Sequence, residues 1–296
     1  MIITFYSHGK LLLTGEYAVL DGALALALPT QYGQSLSIRP STEGSLQWKS
    51  LDERNNCWYQ QILFSGKATD PITQTLEKIL CTAKQLNPNF LIEKNFHVET
   101  KLEFPRDWGL GSSSTLINNI AQWAQIDAFK LLFESFGGSG YDIACAQQNK
   151  PIWYQLKDSQ PEITPIEYNP LFKDSLFFVH LNQKQNSKEG IQRYRKLAKH
   201  KNHLIEELTN LTKEITLTQS LENFCSLIKE HERLISNSLD IPTVQSHLFP
   251  DFPGEIKSLG AWGGDFILAA SNEDVINYFK SKGYPTIIRY SDMILS

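Results

Sequence analysis

The chain has 296 residues, of which 41% are hydrophobic and 20% charged, so it can bury a sizeable core and is long enough for two domains. Its net charge of −4 argues against the broad basic field of a protein that binds nucleic acid or acidic lipid, and we expect neither partner. Its four cysteines form no C-x-x-C pair, which argues against a zinc site or a disulfide framework and favours a reducing, cytoplasmic location.

The apolar segment at residues 11–28 is the candidate for a membrane span. It is interrupted by Thr14, Gly15, Glu16, Asp21 and Gly22, and no basic region precedes it. It therefore predicts neither a signal peptide nor a spanning helix.

Strands and helices are both predicted in the first half of the chain. The predicted strands are rich in β-forming and aliphatic residues and span 2–6, 10–14 and 95–104, with short alternating segments within 34–40 and 45–64. Gly9 lies between the first two strands, so a turn is expected there. A helix is predicted over residues 71–86, with Pro71 in its first turn.

A glycine- and serine-rich segment, GLGSSST at residues 109–115, runs directly into an apolar periodic helix. Gly109 and Gly111 allow the backbone to approach a ligand closely. The N–H groups and hydroxyls at the helix start then form an anion site that suits nucleotide phosphates. The alternative is an ordinary turn followed by a serine N-cap.

Better-known glycine motifs do not account for this segment. The chain has no G-x-x-x-x-G-K-[ST], no H-R-D and no D-F-G, and the third glycine of a Rossmann fingerprint would fall on Ser114. Residues 137–141, GGSGY, are one residue short of a nucleophile elbow. The segment is therefore predicted to be a phosphate loop of another kind.

The second half of the chain begins with helical patterns and ends in a mixed layer. A helix over residues 126–136 precedes GGSG, after which a helix or turn restarts at Tyr141. The proline-spaced stretch that ends at Pro170 predicts a domain boundary, giving domains 1–170 and 171–296. The second domain is predicted to contain a strand, helices, a strand, a helix and a strand, which suits a ferredoxin-like layer.

Four stretches together resemble the motifs of the GHMP kinase superfamily, which includes galactokinase, homoserine kinase, mevalonate kinase and phosphomevalonate kinase. They are SHGKLLLTGEYAVLDGALALALPT at 7–30, GLGSSS at 109–114, GGSGYDIACA at 137–146 and SLGAWGGDFILAAS at 258–271. They follow the family's order and spacing, and GEYAVL and GGD are most similar to the mevalonate and phosphomevalonate kinases. The resemblance implies an α+β fold of two domains, an N-terminal α/β phosphate-loop domain and a ferredoxin-like C-terminal domain.

The resemblance also implies a role for individual residues. ATP would be held by Gly109, Leu110, Gly111, Ser112, Ser113 and Ser114. Lys10 would steady the transferring phosphoryl group, and Asp142 would accept or orient the proton of the substrate hydroxyl. The substrate would contact Glu16, Tyr17, Lys188, Gly263, Gly264 and Asp265. Without the resemblance, Lys10 suits a solvated strand edge, Asp142 a helix cap and Glu16 a helix start.

Mg²⁺ is expected beside ATP, with the Ser113 hydroxyl nearest to the ion. The family's metal-binding glutamate lies eleven residues before its aspartate, and that position is Leu131 in this chain. Glu134 could replace it after a local deletion. Otherwise the ion would rely on the serine, the phosphates and water, which Mg²⁺ tolerates because it keeps much of its hydration shell.

Two further departures from the family pattern concern the loops. SHGK stands where the family often has APGK, so the turn before Lys10 could differ. Trp262 interrupts the usual run of three glycines in the third motif. Because a bulky side chain is costly where a loop needs positive φ or close approach, this loop must turn differently or project the indole outward.

A charge run at residues 184–196, KQNSKEGIQRYRK, bears on the choice of acceptor. Phosphomevalonate carries a dianionic phosphate that mevalonate lacks, so its site needs additional cationic or N–H donors. A segment at this place borders the substrate in the related phosphomevalonate kinases, and Lys188 and Arg195 can share one helical face. The alternative is a solvated helix face.

These patterns predict an ATP-dependent kinase of the mevalonate pathway that acts on phosphomevalonate or mevalonate, as a monomer or homodimer. Two alternatives stay open. Trp262 and the missing glutamate are compatible with a non-catalytic protein that binds a nucleotide or metabolite. An ATP-dependent diphosphomevalonate decarboxylase would share the fold.

Overall fold

The computed structural model describes residues 1–66, 70–158, 160–183, 187–197, 201–260, 262 and 264–295. Its strands are β1 (Ile3–Leu12), β2 (Ala25–Pro40), β3 (Leu46–Leu51), β4 (Cys57–Leu63), β5 (Phe96–Leu102), β6 (Ile152–Lys157), β7 (Gln160–Pro165), β8 (Leu176–His180), β9 (Glu255–Ser258), β10 (Phe266–Ala270) and β11 (Ile287–Arg289). Its α-helices are α1 (Pro71–Leu86), α2 (Ser112–Ala124), α3 (Ala128–Ser135), α4 (Tyr141–Ala146), α5 (Ser187–Leu197), α6 (Lys201–Leu217), α7 (Leu221–Leu239), α8 (Val244–Leu248), α9 (Val275–Ser281) and α10 (Tyr290–Met293). None of the helices in these ranges is long and apolar enough to span a bilayer.

Contacts divide the chain into two compact units that alternate along the sequence. The first contains Met1–Gly9, Tyr32–Arg106 and Leu110–Gln147. The second contains Lys10–Gln31, Asp107–Gly109 and the chain from Gln148 onward. The predicted domain boundary at residue 170 stays a prediction.

The first unit is a sheet covered by helices. Its strand order is β4-β3-β5-β2, with β3 parallel to β5 and the other pairs antiparallel. Trp48 of β3 is aligned with Val98 of β5, which is aligned with Ile38 of β2. All three are buried in one core with Leu80 of α1 and Ile120 of α2. This core holds α2, the helix that follows the glycine- and serine-rich segment, in a defined position.

The second unit contains an antiparallel sheet of order β11-β8-β10-β9. Helices α5 to α8 connect β8 to β9, and α9 connects β10 to β11. This order of strands and helices is ferredoxin-like. The sequence predicted such a layer with β8, β10 and β11, but it did not predict β9.

The predicted turn at Gly9 is wrong, because β1 is a single continuous strand that includes this glycine. Gly9 is buried and keeps negative or extended φ rather than the positive φ of a turn. A glycine allows both conformations, so its presence alone did not decide between them.

Candidate functional site

The predicted phosphate loop contains two glycines that both have left-handed backbone. Gly109 has φ of 66° and Gly111 has φ of 88°. Gly111 is the N-cap of α2, with no side-chain cap, and its carbonyl accepts the first helical bond from Thr115 N–H at 3.0 Å. The serine N-cap is therefore wrong, because all three serines lie inside the helix. Their backbone N–H groups belong to the first turn, where a helix has no internal acceptor for them.

The three serine side chains are placed differently. Ser113 is exposed, Ser112 is half-buried and Ser114 is buried. Leu110, between the two glycines, is fully buried, so its side chain anchors the loop in the protein interior. A ligand at the helix start would therefore meet the Ser113 hydroxyl first.

Asp142 lies in the first turn of α4, and Gly140 with φ of 90° is the N-cap of that helix. The alternative role of Asp142 as a helix cap is therefore excluded. Its side chain is half-buried, and α4 packs against α2. The two helices that carry Asp142 and the serines thus form one packed pair.

A buried polar network between β1, α2 and α4 was not predicted from the sequence. Ser7 donates to Asn119 Oδ1 at 2.7 Å and accepts from Asn118 Nδ2 at 2.8 Å. Gln147, just after α4, donates to Asn118 Oδ1 at 3.0 Å. Asn118 and Asn119 are buried, whereas Gln147 is exposed, so the two buried amides fix the relative position of β1 and α2. The adjacent asparagines within an apolar helix were the available signal, since asparagine is a poor helix former.

The other predicted catalytic and metal residues have defined places. Lys10 is half-buried within β1, and Glu134 is exposed on α3. Leu131, at the family's glutamate position, is fully buried in the core of the first unit. Within the described ranges, no group of three or more His, Cys, Asp or Glu side chains could hold a metal ion. The exposed Ser113 is compatible with a Mg²⁺ ion at the loop that is held by its hydroxyl together with phosphates and water.

Glu16 and Tyr17 are buried rather than presented on a surface. Glu16 Oε1 accepts from Lys257 Nζ at 2.5 Å, and both side chains are fully buried. The other carboxylate oxygen, Oε2, has no hydrogen-bond partner among the described residues. Tyr17 is stacked on Tyr194 with ring centroids 5.9 Å apart. A helix-start role does not apply to Glu16, whose partners come from other elements.

His231 is a neutral neighbour of this ion pair. Its Nε2 accepts from Gly15 N–H at 3.1 Å, which places the ring proton on Nδ1. Burial, reinforced by the Lys257 charge, holds the pKa of His231 well below its ordinary value.

The Glu16 carboxyl is expected to make stability depend on pH. Burial raises its pKa from 4.5 to about 7, although Lys257 opposes the shift. Between these values the folded protein holds a proton that the unfolded chain has released, so the free energy of unfolding falls as pH rises. The Glu16→Gln variant has no carboxyl at this position and so lacks this loss of stability with rising pH. It should therefore gain stability relative to the wild type by up to roughly 3 kcal/mol between pH 5 and 8.

Urea denaturation of both proteins at pH 5 and pH 8 measures this effect. The titration of His231 occurs in both proteins and largely cancels in the difference. Glu162→Gln is the matched control. Glu162 lies on β7, is exposed and pairs with Lys157. A stability difference between Glu16→Gln and the wild type that is the same at both pH values would contradict the titration of Glu16.

In the third glycine segment, which includes Gly260 and Asp265, the side chain of Trp262 is buried in the protein. Trp262 has φ of 54° and is 4% exposed, so of the two alternatives the outward projection of the indole is excluded. Gly264 is buried, whereas the predicted substrate residue Gly263 lies outside the described residues. Asp265 lies against the phosphate loop, because a Cβ added to Gly109 would be 2.3 Å from Asp265 Oδ2. Two predicted motifs thus meet at this point.

The charge run is only partly described. Lys184 lies outside the described residues, and Lys188 is in α5 but its side chain is not described. Arg193 donates to the carbonyls of Leu239 at 2.6 Å and Asp240 at 2.7 Å. This guanidinium therefore binds the carboxyl end of α7, where a cation is favoured.

Solved structures of small-molecule kinases share this fold. Streptococcus pneumoniae phosphomevalonate kinase, in complex with phosphomevalonate and AMPPNP, is 17% identical with a TM-score of 0.73, covering 97% of this chain and 99% of that one. L. major mevalonate kinase in complex with R-mevalonate is 16% identical with a TM-score of 0.68, covering 97% and 94%. Lactococcus lactis galactokinase in complex with galactose is 15% identical with a TM-score of 0.71, covering 100% and 94%.

These neighbours are GHMP kinases, so the two-domain α+β fold expected from the four motifs is confirmed. No protein-family model matches the sequence, and no curated protein is significantly similar to it. At these identities the likeness establishes the fold, while the reaction has to be argued from the residues.

Proposed function

We propose that this chain, which has the fold of the GHMP kinases, is an ATP-dependent small-molecule kinase. The observation that carries the proposal is the start of α2. Two left-handed glycines lead into a helix N-terminus that has no side-chain cap. The first-turn N–H groups, the positive end of the helix dipole and the exposed Ser113 hydroxyl together suit the phosphates of a nucleotide.

Asp142 and Lys10 are the proposed chemical groups of this kinase. Phosphoryl transfer to an alcohol needs a carboxylate to accept or orient the hydroxyl proton, and the helix of Asp142 packs on α2. Lys10 would supply a point charge to the transferring phosphoryl group. Mg²⁺, when bound with ATP, neutralises charge on the phosphates, and Ser113 would be its protein ligand.

The proposed acceptor is phosphomevalonate or mevalonate. Support comes from GEYAVL and GGD and from the fold shared with kinases of both compounds. Because Arg193 is bound to the end of α7, the charge run offers Lys188, Arg195 and Lys196 to an acceptor phosphate. An additional phosphate would be bound by these cations and not by Arg193.

A coupled assay of ADP release with both acceptors tests the activity and the choice. We expect ATP-dependent turnover, with at least about tenfold higher kcat/KM for phosphomevalonate, because charged hydrogen bonds to a phosphate are worth about 1.5–3 kcal/mol each. Lys188→Ala should lower this preference, and Lys229→Ala is the control, since Lys229 is exposed on α7 and paired with Glu255.

Preference for mevalonate that survives Lys188→Ala would reverse the choice of acceptor. Release of carbon dioxide from diphosphomevalonate would identify the decarboxylase instead. ATP binding without turnover on any acceptor would identify the non-catalytic alternative.

A further inference from the structure

Trp262 has a backbone conformation that its surroundings must hold in place. Its φ is 54°, and that of Asp265 in the same segment is 50°. Left-handed backbone costs a residue other than glycine about 1–2 kcal/mol. Such residues persist where neighbouring groups over-determine the conformation.

The indole of Trp262 provides this anchor. It is buried in a cluster with Tyr17 and Tyr194. Its Nε1–H donates to Glu232 Oε1 at 3.2 Å, and the second oxygen of Glu232 accepts from Ser258 Oγ at 2.9 Å. The tryptophan is therefore fixed both by packing and by a directional bond from a buried carboxylate.

Glu232 in turn belongs to a buried ion cluster. Lys257 Nζ is 3.6 Å from Glu232 Oε1 and 2.5 Å from Glu16 Oε1. Two carboxylates thus share one ammonium in the protein interior. Buried ion clusters of this kind often add less stability than apolar residues of the same volume. Conformational specificity is then the better explanation for this cluster.

The anchored segment contacts the start of the phosphate loop. The Asp265 carboxylate lies against Gly109, where an added Cβ would be 2.3 Å from Oδ2. The next residue, Phe266, packs edge-to-face on Trp108 with centroids 5.3 Å apart. Asp265 and Phe266 thus contact Gly109 and Trp108, respectively.

We propose that Glu232 and Trp262 are positioning residues for the phosphate loop. Glu232 orients the indole of Trp262, and Trp262 anchors the segment that leads into Asp265 and Phe266. The backbone of Asp265 is also held from the β8 side, since it accepts from Leu181 N–H at 2.8 Å and donates to the Gln183 carbonyl at 2.7 Å. Their effect on the reaction rests on the proposed kinase function, whereas their effect on the loop does not.

Hydrogen exchange and steady-state kinetics of Trp262→Phe test the proposal. This variant keeps an aromatic ring but loses the indole N–H. We expect at least about tenfold faster amide exchange at residues 108, 109, 265 and 266. We also expect about tenfold lower kcat/KM for ATP, because the phosphate loop is displaced. Trp153→Phe is the matched control, since Trp153 Nε1 donates to Thr216 at 3.0 Å in the same unit.

A second pair of variants changes the acceptor of the same hydrogen bond, Glu232. Glu232→Gln keeps an acceptor for the indole and should exchange within about threefold of the wild type. Glu232→Met has no acceptor and should reproduce Trp262→Phe. Unchanged local exchange in Trp262→Phe, or equal increases throughout the chain or in Trp153→Phe, would overturn the positioning role. Absence of turnover in the wild type would refute the kinase function, and the exchange data would still decide the positioning role.

Discussion

The Asp142→Asn variant is expected to lose at least about 100-fold in kcat while its Kd for an ATP analogue stays within about twofold. Loss of a general acid–base group typically costs 10²–10⁴-fold in rate. Asparagine keeps the shape of the side chain but accepts a proton far less readily than a carboxylate. The half-buried position in the first turn of α4 leaves room for the amide, so the fold should be unaffected.

Asp127→Asn is the matched control for this prediction. Asp127 is an N-cap in the same unit and accepts from Lys130 N–H at 2.9 Å, a role that asparagine fills equally well. Full activity of Asp142→Asn with the same melting temperature as the control would show that Asp142 has only a structural role.

The Lys10→Met variant is expected to lower kcat by about 10²–10³-fold, because a charge contact made in the transition state is worth several kcal/mol. Methionine preserves the apolar part of the side chain in β1, so the melting temperature should change by only a few degrees. Steady-state kinetics and thermal unfolding measure the two quantities.

Lys49→Met is the matched control for Lys10→Met. It removes the charge of a strand lysine that has no proposed role in the reaction. Lys49 is exposed on β3 and pairs with Glu99 at 3.2 Å, an interaction worth at most about 1 kcal/mol. Early unfolding of Lys10→Met with undiminished specific activity would show that Lys10 is structural.

The glycine-rich turn and the helix that follows it could be predicted from the sequence because their properties are local. Gly109 and Gly111 adopt left-handed backbone at little cost, and the following apolar periodicity identifies α2. The identity of the N-cap was not predicted correctly, because both serine and glycine suit that position and the difference is a matter of one residue.

The environments of Glu16 and Trp262 were outside the reach of sequence reasoning. The partner of Glu16 is Lys257, which is 241 positions away in the chain. The partner of Trp262 is Glu232 on α7. The tryptophan that interrupts the glycine motif is therefore a buried, hydrogen-bonded side chain. Neither pairing has a signal in spacing or periodicity, since both depend on how separate elements pack.

The sequence by itself determined the helices α1 and α2, the glycine-rich turn before α2 and three of the four strands of the ferredoxin-like layer. These follow from hydrophobic periodicity and from glycine backbone freedom, which act over a few residues. The tertiary structure alone decided which charges are buried, which way the Trp262 indole points, and that Asp265 lies against Gly109. Those outcomes depend on desolvation and on contacts between distant segments, and both exist only once the chain has folded.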